Sequence, residues 1–318
     1  IGAMAASLQL LVPMNFIAAV AALTILMTAL EILVPYHRYS RILKWLTVSL
    51  VAYILTGFII RPDWVAVLRS VAIPTIKLNT GFLAAMVAVM GTTITPYLFF
   101  WQASEEVEQE RDKGELGDCR AVALTHEIRE MRTDTFTGMA LANVVFLFII
   151  VTTAFVLHDH GITNVDSAQK AASALKPLAG NFASVLFTLG IFGVGLLAVP
   201  VLAGASAYAV AELFKWHEGL SKRFEEAKGF YWVIIASMLA GMLLNLVGIN
   251  PIKALYYAAI VNGTIAPILM FFIFRIGRDA KVMGQFTNPR WVNVWGWVVT
   301  LVMGGSAVAL FVFAALGK

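Results

Sequence analysis

The chain has 318 residues, 60% of them hydrophobic and 13% charged, with a mean hydropathy of +0.82. That charged share is about half of what a soluble domain carries, which excludes a soluble enzyme, a nucleic-acid-binding domain, a disordered tail and a secreted disulfide scaffold. The net charge of +4 is small, and the single cysteine, Cys119, permits neither an internal disulfide nor a cysteine metal cluster.

A helix that crosses a bilayer needs about 20 largely apolar residues. Residues 1–12, IGAMAASLQLLV, are too short for that and lack the charged start and cleavage site of a signal peptide. They read as the last turns of a helix that begins earlier. Eight full spans follow, at 14–34, 43–60, 78–104, 132–157, 181–211, 229–249, 252–274 and 291–316. The prediction is an all-α polytopic membrane protein with one membrane domain, 1–318.

The polar connections set the expected topology. With their boundary residues, 35–44, 105–131, 211–228 and 275–290 hold sixteen lysines and arginines, against seven on the opposite side. Placing the richer set in the cytoplasm predicts a protein of the cell's inner (plasma) membrane with its C-terminus outside. The 105–131 segment is a charged cytoplasmic loop. Its acids Glu105, Glu106, Glu108 and Glu110 continue a helix out of the membrane, as a cation-attracting exit or simply a solvated helix end. The outer segment 158–180 contains DSAQKAASALKPL, read as a short amphipathic helix at the interface. His158, Asp159 and His160 offer a small metal-ligating cluster or an ordinary wet loop. No glycine-rich phosphate loop, HExxH or nucleophile elbow is present, so neither enzyme chemistry nor a cofactor nor a nucleic-acid partner is expected.

Span 78–104 carries the most chemistry. Near its middle stands Gly91-Thr92-Thr93-Ile94-Thr95-Pro96. Proline lacks an N–H and displaces the carbonyl four residues earlier, here that of Thr92. In hydrocarbon such an orphan is costly unless protein, water or an ion satisfies it. Thr92, Thr93 and Thr95 add three hydroxyls within one turn, so the segment offers hard oxygen donors suited to a metal cation. Broken helices at the membrane midplane are how many secondary transporters build ion sites. A plain proline kink with threonines bonded back to the helix accounts for the same residues. Pro200 and Pro267 also interrupt spans, so the threonine cluster is what distinguishes Pro96.

Around the break, Tyr97 offers a phenol to a hydrated ion or to another helix, and Gln102 lines an inner vestibule or marks a helix boundary. Asn245 and Asn262 are buried-looking amides. Asn262-Gly263, with Pro267 nearby, opens its helix toward a cavity or glues it to a neighbour. Glu31 snorkels at a span end, and the small-residue run 200–207 permits close packing of helices.

The strings IGAMAASLQLL, GTTITPYLFFWQASEEVE, LFTLGIFGVGLLAVPVLAGASAYAVAE and NPIKALYYAAIVNGTIAPIL resemble the Nramp family of divalent-metal transporters. The resemblance runs along the whole chain, from late in the family's third helix through its eleventh. It implies a LeuT-like fold of inverted repeats with a metal site between the broken first and sixth helices. The first helix, with its Asp-Pro-Gly-Asn motif, and the third-helix acids tied to proton movement would precede residue 1. The sixth helix of the family usually reads Met-Pro-His; here Thr95, Pro96 and Tyr97 stand at those positions, and a further histidine of many members falls at Gln102. The resemblance therefore implies a carbonyl ligand at Thr92 and a side-chain ligand at Thr95, with Gly91 and Pro96 at the helix break. Tyr97, Gln102 and Asn262 are expected along the ion path.

Replacing methionine by threonine removes a soft ligand that favours transition metals. A hydroxyl suits Mn²⁺ or Mg²⁺, and magnesium-transporting relatives of the family also lack the methionine. A tyrosine in place of histidine weakens the case for proton coupling. The function expected is import of divalent cations, Mn²⁺/Fe²⁺ or Mg²⁺, by alternating access, with the ion as cargo and the lipid bilayer as the other partner. The alternatives are a LeuT-fold carrier of an organic solute such as an amino acid, and a membrane scaffold without transport.

Overall fold

The computed structural model describes residues 1–34, 44–113 and 121–317. Cys119, and with it Arg38, Arg41, Arg120 and Lys318 of the charge count, lie outside the described residues. The described residues are overwhelmingly helical. In chain order the helices are α1 (Gly2–Leu8), α2 (Phe16–Leu33), α3 (Val51–Ile59), α4 (Trp64–Ala72), α5 (Thr80–Thr93), α6 (Pro96–Lys113), α7 (Ala121–Val156), α8 (Ala168–Ser173), α9 (Lys176–Ala179), α10 (Ala183–Phe214), α11 (Lys228–Leu246), α12 (Pro251–Gly277), α13 (Ala280–Met283) and α14 (Arg290–Ala315).

Among the described residues, seven helices or continuous helical stretches are long and apolar enough to cross a membrane, or eight if one bent pair is a span. Within 43–60, Lys44–Leu50 is a 3-10 helix leading into α3, and past that run Val48–Ile59 meets Trp64–Ala72 at 115°. The local cause is Arg61-Pro62-Asp63. Arg61 takes a positive φ of 45°, proline removes an amide, and the Asp63 carboxylate accepts from the N–H groups of Val65 (2.9 Å) and Ala66 (3.1 Å), starting α4 afresh. The 105–131 segment is largely helical as well, since α6 runs to Lys113 and α7 begins at Ala121.

The chain divides into two compact units, one of residues 1–69 and 100–252, the other of 70–99 and 253–318. In the first, α10 packs on the 3-10 helix 44–50, on α11 and on α1, while α2 packs on α11 and α3 on α7. One core cluster joins Met4 and Ala5 of α1 to Ala19, Val20 and Leu23 of α2. Another joins Ala52 and Tyr53 of α3 to Leu157, Ala183 and Phe187, and it also takes in Ala168, Ala172, Ala174 and Leu175. The α8–α9 segment thus packs one face on protein, its alanines lying close to α3 and α10.

The second unit is built on α5, α12 and α14. Leu83 and Val87 of α5 pack with Leu310 of α14, and Ala266, Met270 and Met303 form a second cluster bordered by Met90 and Ile94. Between apolar helices in lipid there is no hydrophobic driving force, so close van der Waals fit has to hold them. Backbone meets backbone directly where Gly91 of α5 crosses α12. A Cβ at Gly91 would fall 2.2 Å from the Ala259 carbonyl oxygen and 2.3 Å from the Gly263 nitrogen, and one at Gly263 would fall 2.2 Å from the Val87 carbonyl oxygen.

Candidate functional site

The helix that begins at Thr80 stops at Thr93. Ile94 is extended (φ −115°, ψ 92°), Thr95 lies outside any helix, and a new helix starts at Pro96. Only two backbone hydrogen bonds reach into the gap among the described residues, Ile94 N–H to the Met90 carbonyl (2.9 Å) and Leu98 N–H to the Thr95 carbonyl (3.1 Å). No amide among the described residues reaches the Thr92 carbonyl.

The threonine hydroxyls point their protons backwards. Thr92 Oγ1 donates to the Val89 carbonyl at 2.8 Å, and Thr93 Oγ1 to Val89 at 3.1 Å and Met90 at 3.0 Å. A hydroxyl whose proton is already engaged presents only lone pairs to a third group. The Thr95 hydroxyl makes no hydrogen bond among the described residues, and its side chain is half-buried. Thr92 is exposed, whereas Gly91 and Pro96 are buried. The Thr92 carbonyl belongs to the C-terminal turn of α5, the negative end of its helix dipole. Carbonyl, lone pairs and dipole end all favour a cation and disfavour an anion.

Gly91 does not open the helix, which continues two residues beyond it. Its role here is the crossing with α12. Gly263, read from sequence with Asn262 as a point where α12 opens toward a cavity, is the other half of that crossing, and α12 runs unbroken from Pro251 to Gly277. Asn262 is the residue before it, half-buried, with no hydrogen bond among the described residues. Tyr97, in the first turn of α6, is half-buried and likewise without one. Gly91, Thr92, Thr95, Pro96, Tyr97 and Asn262 all belong to the second unit; Gln102, exposed on α6, belongs to the first.

Other sequence candidates resolve differently. Asn245 bonds back to the Gly241 carbonyl (2.8 Å) and abuts Gly2 of α1, a contact between helices. Glu31 does not snorkel. It is 4% exposed, and neither carboxylate oxygen has a hydrogen-bond partner among the described residues. His158–His160 form an exposed 3-10 turn, and no group of three or more His, Cys, Asp or Glu side chains suited to a metal occurs among the described residues. Sequence reasoning missed Gly263 as the partner of Gly91. The signal was a pair of glycines on two apolar spans, and nothing in one sequence pairs them.

Long apolar helices with exposed leucines, valines and phenylalanines, one of them broken by a threonine-proline gap, define a polytopic α-helical membrane protein. The chain belongs to the Nramp family: the family model described as "Natural resistance-associated macrophage protein-like" matches residues 1–313. The LeuT-like fold is a property of that family. Among its relatives is the divalent metal cation transporter MntH of Clostridium acetobutylicum, 25% identical over 254 residues, which are 80% of this chain and 54% of that protein. The protein of the same name from Klebsiella pneumoniae strain 342 is 26% identical over 273 residues, 84% of this chain and 60% of its own length. That of Caldanaerobacter subterraneus subsp. tengcongensis is 25% identical over 250 residues, 78% and 55%. The chain spans between half and two thirds of the length of these relatives.

Proposed function

We propose that the chain is the greater part of a secondary transporter that imports divalent metal cations across the plasma membrane by alternating access. The Thr92 carbonyl and the Thr95 side chain are its contribution to the metal site. The observation that carries this reading is the Thr92 carbonyl, left without an amide at a gap between two half-helices. Family membership and the printed names of the relatives support the substrate class. Tyr97 and Asn262, polar and uncommitted within the same unit, extend the polar path there, and Gln102, on the same helix as Tyr97, is a further candidate for an ion path. The excess of lysine and arginine on one set of connections supports an orientation with the C-terminus outside.

The donors that this chain offers are hard oxygens, which suit Mn²⁺, Fe²⁺ or Mg²⁺ and give a soft metal no advantage. Reconstituted in proteoliposomes, the protein is expected to quench an enclosed indicator when Mn²⁺ or Mg²⁺ is supplied. Thr95→Met introduces a thioether and is expected to move the Mn²⁺-to-Mg²⁺ flux ratio toward Mn²⁺ by about tenfold, the ratio that about 1.4 kcal/mol of preference produces. An unchanged ratio removes Thr95 from the ligand set. Absence of flux with every divalent cation overturns the transport reading and turns attention to an organic solute.

A further inference from the structure

At the far end of α6 from the break, the acidic run does more than meet solvent. The half-buried carboxylate of Glu108 accepts from the Tyr208 phenol, from Leu220 N–H (3.0 Å) and from Ser221 N–H (2.5 Å). Two backbone amides and a phenol aimed at two oxygens make the surroundings of an ionised acceptor. The loop reaches this geometry through Gly219. Its φ is +137°, and a Cβ there would fall 2.9 Å from Glu108 Oε1.

Tyr208 is itself fixed by packing. It lies on α10, buried, edge-on to Trp101 of α6 (centroids 6.0 Å) and to Phe230 of α11 (4.8 Å). From the other side of the loop, the Tyr231 phenol donates to the Lys222 carbonyl at 2.7 Å. One carboxylate therefore ties α6, the half-helix that follows the break, to the connection between α10 and α11, over sequence separations of 100 to 113 residues.

We propose that Glu108 is a latch: its carboxylate holds α6 to the α10–α11 loop in the conformation seen here, and its release is a step of the transport cycle. The inference rests on the transport reading above. A half-helix that lines an ion path has to move against its neighbours for access to alternate. A contact made by one charged group with loop amides suits such a step better than interdigitated apolar packing does. Charge-assisted bonds are strong enough to hold, and at a half-buried position water can replace each donor as it leaves. Tyr208 acts through Glu108, as a positioning residue.

The test is hydrogen exchange by mass spectrometry on the reconstituted protein, with and without Mn²⁺, in the wild type, in Glu108→Gln and in Tyr208→Phe. The second variant keeps the ring packing and so stays folded even where the first does not. Amides of 215–227 and of 100–113 are expected to exchange roughly tenfold faster in Glu108→Gln, with a smaller change of the same sign in Tyr208→Phe. Mn²⁺ is expected to alter exchange of these segments in the wild type and not in Glu108→Gln. Faster exchange confined to the loop, with α6 unchanged, reduces Glu108 to a local staple and overturns the proposal, as does an equal Mn²⁺ response in both proteins. If Glu108→Gln releases α6 while the wild type neither carries nor responds to any divalent cation, the holding contact stands and the transport reading falls.

Discussion

Among the long apolar stretches of the described residues, Pro96, Pro200 and Pro267 each stand well inside one, and only at Pro96 does the helix break. Pro200 lies within α10, continuous from Ala183 to Phe214, and Pro267 within α12, continuous from Pro251 to Gly277. At Pro96 the helix stops two residues short of Thr95 and restarts. Each proline deprives one carbonyl of its amide, so the missing bond alone does not decide the outcome. The residues just before it do. Ahead of Pro96 stand Thr92, Thr93, Ile94 and Thr95, all β-branched; ahead of Pro200 stand Leu196, Leu197, Ala198 and Val199; ahead of Pro267 stand Gly263, Thr264, Ile265 and Ala266. β-Branched side chains lose χ1 freedom in a helix, and the residue before a proline is pushed toward extended backbone. Four in succession make the extended conformation cheap at the point where proline has already removed a bond. The threonine hydroxyls bond back onto the Val89 and Met90 carbonyls, within the last turn of α5.

The largest effect is expected at the crossing beside the end of α5. Gly91→Ala puts a methyl group against the backbone of Ala259 and Gly263, neither of which can turn aside as a side chain can. The expected loss is about 3 kcal/mol, at the upper end of the usual overpacking range, read as a lower thermal midpoint in detergent. Gly241→Ala is the control, since a Cβ there meets nothing within 4 Å; it is expected to be neutral or to stabilise α11 by up to about 1 kcal/mol. Equal midpoints for the two variants contradict a backbone contact at Gly91.

A second test closes the gap. Thr93→Leu, Thr95→Leu and Pro96→Ala together restore an amide opposite the Thr92 carbonyl and replace two β-branched residues by a good helix former. Mn²⁺ affinity measured by calorimetry is expected to fall at least about tenfold, a change of about 1.4 kcal/mol. Pro96→Ala alone is expected to do less, because the β-branched run remains. Undiminished affinity in the triple variant takes the Thr92 carbonyl out of the site.

What could be read from the sequence follows from which forces act locally. Helix breakers and apolar length are local, so the spans and the gap at Thr92–Pro96 were legible, down to the carbonyl that proline orphans. The bend at Arg61-Pro62-Asp63 was equally local, with a proline and a capping aspartate just past the run 43–60, but the nine-residue α4 beyond it is too short to register as a span. Contacts between distant segments were not legible. Gly263 against Gly91, Glu108 against Ser221 and the alanines of α8 against Phe187 depend on which helices lie side by side, and a single sequence gives no pairing. Glu31 shows the limit of the other rule: a carboxylate near a span end usually reaches the interface, and here it is buried instead.

The smallest effect concerns the opposite end of α5 from the gap. There Asn79 accepts from Phe82 N–H at 2.8 Å, an exposed side-chain cap, while at the C-terminal end no amide among the described residues reaches the Thr92 carbonyl. Asn79→Ala removes the cap and is expected to cost about 1 kcal/mol, read as a small drop in the thermal midpoint and as faster exchange confined to the first turn of α5. Metal affinity is expected to stay unchanged, because the cap serves amides that face away from the gap. A change in affinity from this variant means that α5 moves as a rigid rod. Its N-terminal anchoring then sets the geometry of the break, and the β-branched run alone does not account for it.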